Sequence, residues 1–121
     1  MIVLGVACAG AIGAVTRYVV DVVVSDRART NLPLGTLVIN VSGSFVLGIL
    51  TGLALYHGLA STPKIVLGTG FCGGFTTFST FAWESVALLE ARHYRVAATN
   101  IAASLALPVL AAALGLAITA L

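Results

Sequence analysis

Apolar residues run along this chain in four long blocks, and polar residues gather in the short gaps between them. Each block is about 20 residues long, the length at which a helix crosses the hydrocarbon core of a bilayer. The pattern predicts spanning helices over residues 2–24, 34–56, 64–89 and 96–121. The first gap, Ser25 to Asn31, holds Asp26, Arg27 and Arg29. Pro33 then suits the first turn of the second helix, where a missing N–H is no loss. Tyr56 and His57 close that helix at the depth where amphipathic rings settle. Ser61 or Thr62, followed by Pro63, reads as the cap and first turn of the third. The last gap, Glu90 to Arg95, carries Arg92 and Arg95, and the lone His57 and His93 read as boundary residues rather than ligands.

Departures from the apolar pattern inside the blocks carry the functional information. In the first, Gly5, Ala9 and Gly13 form a small-residue face that lets a neighbouring helix come close. Arg17 lies about one turn from Asp21, so it either pairs with that acid and snorkels, or sets a positive charge at the mouth of an anion path. In the second, Thr36, Asn40 and Ser44 make a polar stripe that lipid cannot satisfy. The stripe is either glue between helices or the lining of a pore; Gly48 and Gly52 beyond it read as packing. In the fourth, Asn100 and Ser104 share a face, and Pro108 removes the amide that would bond the Ser104 carbonyl, which predicts a kink and a free acceptor.

The third block is the unusual one. Between Gly68 and Glu84 it gathers glycines, hydroxyls and four of the chain's five phenylalanines. Gly70, Gly73 and Gly74 stand close together, and each interior Gly costs a helix roughly 1 kcal/mol against Ala. A break at mid-membrane is expected there. Such a break exposes backbone carbonyls and amides that must be buried in protein or line a wet cavity, which makes it a candidate ion site. The alternative is a glycine-softened helix that only packs closely on a neighbour.

Composition agrees with a membrane protein and removes other classes. Of 121 residues, 60% are hydrophobic and 8% charged, too few charges to cover a soluble domain of this size. The expectation is one all-α domain of four transmembrane helices, with no soluble module. A formal charge of +2 is too small for nucleic-acid binding. Ala7-Cys8-Ala9 has the small-residue look of a signal cleavage site, but no basic segment precedes it and apolar residues continue to Val24. Cys8 and Cys72 both fall inside spans, as small hydrophobes rather than a disulfide or metal pair. No nucleophile with a base and no metal cluster suggests an enzyme.

Three stretches resemble the signatures of the Fluc/CrcB fluoride channels. They are Gly10-Ala11-Ile12-Gly13-Ala14-Val15-Thr16-Arg17-Tyr18, then Gly35-Thr36-Leu37-Val38-Ile39-Asn40 with Gly43, and Gly70-Phe71-Cys72-Gly73-Gly74-Phe75-Thr76-Thr77-Phe78-Ser79-Thr80-Phe81. The third is the most specific, and the resemblance extends over essentially the whole chain. It implies a four-helix subunit that dimerises antiparallel with itself or a sibling, with broken third helices crossing at the centre and two fluoride paths. It also implies a structural Na+, not transported, held by backbone oxygens of Gly73 and Thr76. By motif position the fluoride path would involve Asn40, Phe78, Phe81, Ser79 and Thr80, with Thr36 and Ser104 as further hydroxyls. Arg17 and Glu84 would take vestibule or accessory places.

The chemistry suits those residue types. A strongly hydrated small anion needs donors to replace its water, and hydroxyls and the Asn40 amide are neutral ones. A phenylalanine ring edge is the positive part of its quadrupole and can face an anion. Neutral partners bind weakly enough to let the ion leave. A break without carboxylates suits a monovalent cation on neutral oxygens, where Mg2+ or Zn2+ would want acids, histidines or thiolates. The competing expectation is a small multidrug-type, proton-coupled exporter of organic cations. That would want an acid deep in the first helix, whose only carboxylate is Asp21 near its end. Finally, Arg27, Arg29, Arg92 and Arg95 lie on one side and Lys64 on the other. The positive-inside rule then places both termini outside, and a fixed orientation favours a sibling partner of opposite bias.

Overall fold

The polar gaps separate helices much as the pattern predicts. A computed structural model describes residues 1–121, and its regular structure is entirely helical. Helix α1 covers Ile2–Arg27 and α2 covers Leu34–Tyr56. The third span, Ser61–Glu90, is assembled from pieces, and the last helix, which we label α6, covers Tyr94–Thr119. All four spans are long and apolar enough to cross a membrane. Helix α1 runs three residues past the expected Val24, ending on Arg27, whose charge suits a helix C-terminus. The third span begins at Ser61 rather than Lys64, and α6 begins at Tyr94 rather than Val96 and ends two residues short of Leu121.

The third span holds the surprise. A first turn, α3 (Ser61–Lys64), widens into a π-helix, Ile65–Cys72, and returns to α geometry in α4 (Gly73–Phe75). The backbone then opens at Thr76, where ψ is 158°, and resumes as α5 (Ser79–Glu90). So the helix does break, but after the glycines rather than at them; Gly73 itself is helical, with φ −63° and ψ −37°.

The glycines have a different task, which is close approach. A Cβ on Gly74 would run into the backbone of Gly10, one on Gly70 into Val6 and Ala9, and one on Gly13 into the Phe71 carbonyl. The small face of α1 therefore lies against the third span, as Gly5, Ala9 and Gly13 predict. Helix α2 packs on α6 by the same device, with Gly48 against Ala112 and Gly115 against Phe45. His57 reaches the Thr119 carbonyl at 2.8 Å and ties the ends of α2 and α6 together. Two pairs of helices result, α1 with the third span and α2 with α6, and beyond the break α5 turns to α6. Gly73 is the exception among these glycines, for a Cβ there meets nothing within 4 Å.

Candidate functional site

Two side chains open the third span. Asn40 on α2 accepts the Thr77 N–H at Oδ1 and donates from Nδ2 to the Thr77 carbonyl, each at 2.8 Å. The Thr77 hydroxyl in turn accepts the Thr80 N–H at 3.2 Å and so caps the start of α5. In an unbroken helix the Thr77 amide would bond the Gly73 carbonyl, and the Thr80 amide the Thr76 carbonyl. Both amides are intercepted, which leaves those two carbonyls to find other partners. Arg17 supplies one: its Nη1 donates to the Thr76 carbonyl at 3.2 Å.

That bond corrects one expectation. Arg17 does not turn to Asp21, because the break offers it a carbonyl without an amide, and a buried acceptor demands a donor. Asp21 instead takes the Ser25 hydroxyl at 3.3 Å and lies against Gly35 on α2.

An open groove of about 290 Å³ runs along the break, between α2, the third span and α6. Asn40, Gly73, Thr76, Thr77, Phe78 and Ser104 line it. Ser44, Leu47 and Pro108 are also among its walls, and α6 continues as a helix past the proline. Of the predicted path residues, the groove therefore collects Asn40, Phe78 and Ser104, together with the two carbonyl-bearing residues. Asn40 retains one amide hydrogen beyond the Thr77 pair, since its Nδ2 has two.

The other predicted residues stand behind this wall. Thr36 is 2% exposed and its hydroxyl donates to Glu84 Oε1 at 2.8 Å, so within the subunit it anchors α5 rather than lining the groove. The second Glu84 oxygen, Oε2, is buried with no partner. The Thr80 hydroxyl accepts from Thr77 at 3.0 Å, and the hydroxyl of the exposed Ser79 lies 3.4 Å from that of Thr77. Phe78 and Phe81 separate by burial: Phe78 is 73% exposed and Phe81 8%. Their rings still meet edge to face, with centroids 5.4 Å apart and planes at 62°. Phe81 thus backs the ring that faces the groove.

Two participants escape sequence reasoning. Thr77 is the pivot of the break, and its signal was the spacing of two threonines, 77 and 80, across a helix start. Ser85 is 6% exposed and bonded to Asn100 from α6, and no single-sequence signal links residues in different spans.

Comparison with known proteins extends over nearly the whole chain. Residues 4–116 match the family described as CrcB-like protein, Camphor Resistance (CrcB). The chain is 52% identical, over 96% of its length and 85% of the relative's, to a protein of Leifsonia xyli subsp. xyli named Fluoride-specific ion channel FluC 1. It is 47% identical to Fluoride-specific ion channel FluC 2 of Cutibacterium acnes, covering 98% of this chain and 97% of that one. A third relative, Fluoride-specific ion channel FluC 2 of Mycolicibacterium paratuberculosis, is 46% identical over 93% of this chain and 88% of its own.

Proposed function

The chain belongs to the CrcB-like family, and from that membership we propose that this multi-pass membrane protein is a fluoride-specific ion channel giving fluoride a passive way out of the cell. The observation that carries the reading is the extent of the likeness: relatives named fluoride-specific channels align with this chain from end to end at about half identity. The geometry is compatible with it. Along the groove an anion meets neutral donors, the spare Asn40 amide hydrogen and the Ser44 hydroxyl, beside the Phe78 ring and the Ser104 side chain. None of these is charged, so an ion can be held briefly and released. The exporter reading is not favoured, because α1 offers no carboxylate deeper than Asp21. No enzymatic chemistry enters this account.

Two partners belong to the same proposal. The first is a structural Na+ on the carbonyls of Gly73 and Thr76. The donor set fits: both carbonyls lose their helical amides to Asn40 and Thr77, and a Cβ at Gly73 would have open space around it. Arg17 takes one side of the Thr76 oxygen, whose second lone pair stays free for a cation. Bound there, the ion would supply fixed positive charge beside neutral oxygens. The second partner is another subunit, antiparallel, either a copy or a sibling. Ser44 and the spare amide hydrogen of Asn40 open onto the groove with no partner in the chain, and lipid satisfies neither.

Fluoride efflux from liposomes holding the purified protein, alone and with any sibling, tests the reading. Fast release of fluoride but not of chloride is expected, and release should fall when sodium is replaced by a large organic cation on both sides. Proton-driven uptake of an organic cation without fluoride release would replace the reading with that of an exporter. Orientation is checked separately. The arginine-bearing loops come together, since Asn31 shares a pocket with Arg92 and Arg95. A reporter fused to either terminus is expected on the outer face only. Equal inner and outer populations would point to self-pairing instead of a sibling.

A further inference from the structure

Helix α5 carries Phe81 at its buried face, yet the break cuts it loose from the first half of its own span. Its position must then be fixed from outside. Helix α2 holds its entry and its body, through Asn40 on Thr77, two residues before α5 begins, and through Thr36 on Glu84. The remaining side is held by α6, the helix with which α5 makes most of its contacts. There a line of hydrogen bonds runs through protein interior. Asn100, 1% exposed, donates from Nδ2 to the Ser85 hydroxyl oxygen at 3.0 Å. The Ser85 hydroxyl in turn donates a hydrogen bond to the Phe81 carbonyl at 2.8 Å. At the other end the Ser104 hydroxyl donates to Asn100 Oδ1 at 3.4 Å. One terminus of the line is thus a hydroxyl on the groove wall, and the other is the backbone of the phenylalanine that backs Phe78.

A buried asparagine is costly unless its polar atoms are matched, so this one holds α6 and α5 in a single register. Sliding or rolling α5 by one residue would carry Ser85 away from the Asn100 amide and break the line at its centre. We propose that Asn100 and Ser85 are positioning residues of the conduction path: without touching the ion, they fix the place of the Phe81 ring and the Ser104 hydroxyl relative to one another. This rests on the channel reading, and the test keeps the two apart.

Wild type, Ser85→Ala, Asn100→Ala, the double variant and Ser85→Cys are purified and reconstituted, each also with 4-fluorophenylalanine placed at position 81 for 19F NMR. Each alanine variant is expected to elute as wild type and to lower fluoride efflux by about tenfold, since each leaves a buried polar partner unmatched. The double variant should lose no more than either single one, because both remove the same link. Ser85→Cys, with a weaker donor and acceptor of similar size, should fall between wild type and Ser85→Ala. The 19F resonance should move alike in both single alanine variants. Efflux at the wild-type rate, losses that add in the double variant, or an unmoved resonance would overturn the proposal. If wild type itself releases no fluoride, the channel reading fails, and the resonance alone still decides whether the link positions Phe81.

Discussion

Phe78→Ile is expected to reduce fluoride efflux to the leak of protein-free vesicles while leaving the melting temperature of the subunit nearly unchanged. The ring is 73% exposed, so little packing inside the subunit depends on it beyond its edge contact with Phe81. Such a contact is worth about 0.5–1.5 kcal/mol. What the substitution removes is the polarised ring edge, and isoleucine has no quadrupole to offer an anion in its place. Phe81→Ile should abolish efflux too, but at a measurable loss of stability. That ring is 8% exposed, and a reshaped buried side chain costs about 1–3 kcal/mol. The two variants therefore separate a groove-facing role from a supporting one. Full fluoride release by Phe78→Ile would remove the aromatic edge from the account. Chloride release should stay low in both, because neither change widens the donor set along the groove.

Much of the architecture was legible because lipid makes the code simple. A run of apolar residues that long has one stable form, and the arginines and prolines mark its ends. The small faces were legible too: Gly13 meets the Phe71 carbonyl as its spacing in α1 suggests. The break was predicted for a reason that proved secondary. Glycine propensity placed it at residues 70–74, but helical propensity is a weak prior that packing overrides, and α1 presses on Gly70 and Gly74 within a stretch that stays helical. The backbone opens instead where side chains compete for its amides, and that competition needs Asn40 from another helix. The same limit applies to the site. A stripe such as Thr36, Asn40 and Ser44 reads alike whether it lines a pore or holds a helix. The structure divides the stripe: Thr36 anchors Glu84, Ser44 lines the groove, and Asn40 does both kinds of work. Which member does which depends on where α5 comes to rest, a tertiary fact.

Asn40→Ala should therefore have two effects that appear together. The side chain makes two hydrogen bonds of 2.8 Å to one residue, Thr77, matching both its N–H and its carbonyl. Alanine leaves both backbone groups unmatched, and an unsatisfied buried group costs about 1–3 kcal/mol, so a total loss of about 2–5 kcal/mol is expected. Without the clamp both Thr77 groups lose their fixed partners, and the geometry of the break loosens. Fluoride release should then vanish even if the protein still inserts. Asn40→Asp sharpens the test. Aspartate keeps an oxygen for the Thr77 N–H but sets a second oxygen against the Thr77 carbonyl, where the asparagine had a donor. Its charge would also repel an anion in the groove. Asn40→Ala should speed hydrogen exchange at the Thr77 amide, and thermal melting in detergent would measure the stability lost in both variants. Were Asn40→Ala to melt as wild type does, with the Thr77 amide still protected and fluoride still flowing, the break would have to be held open by something other than α2.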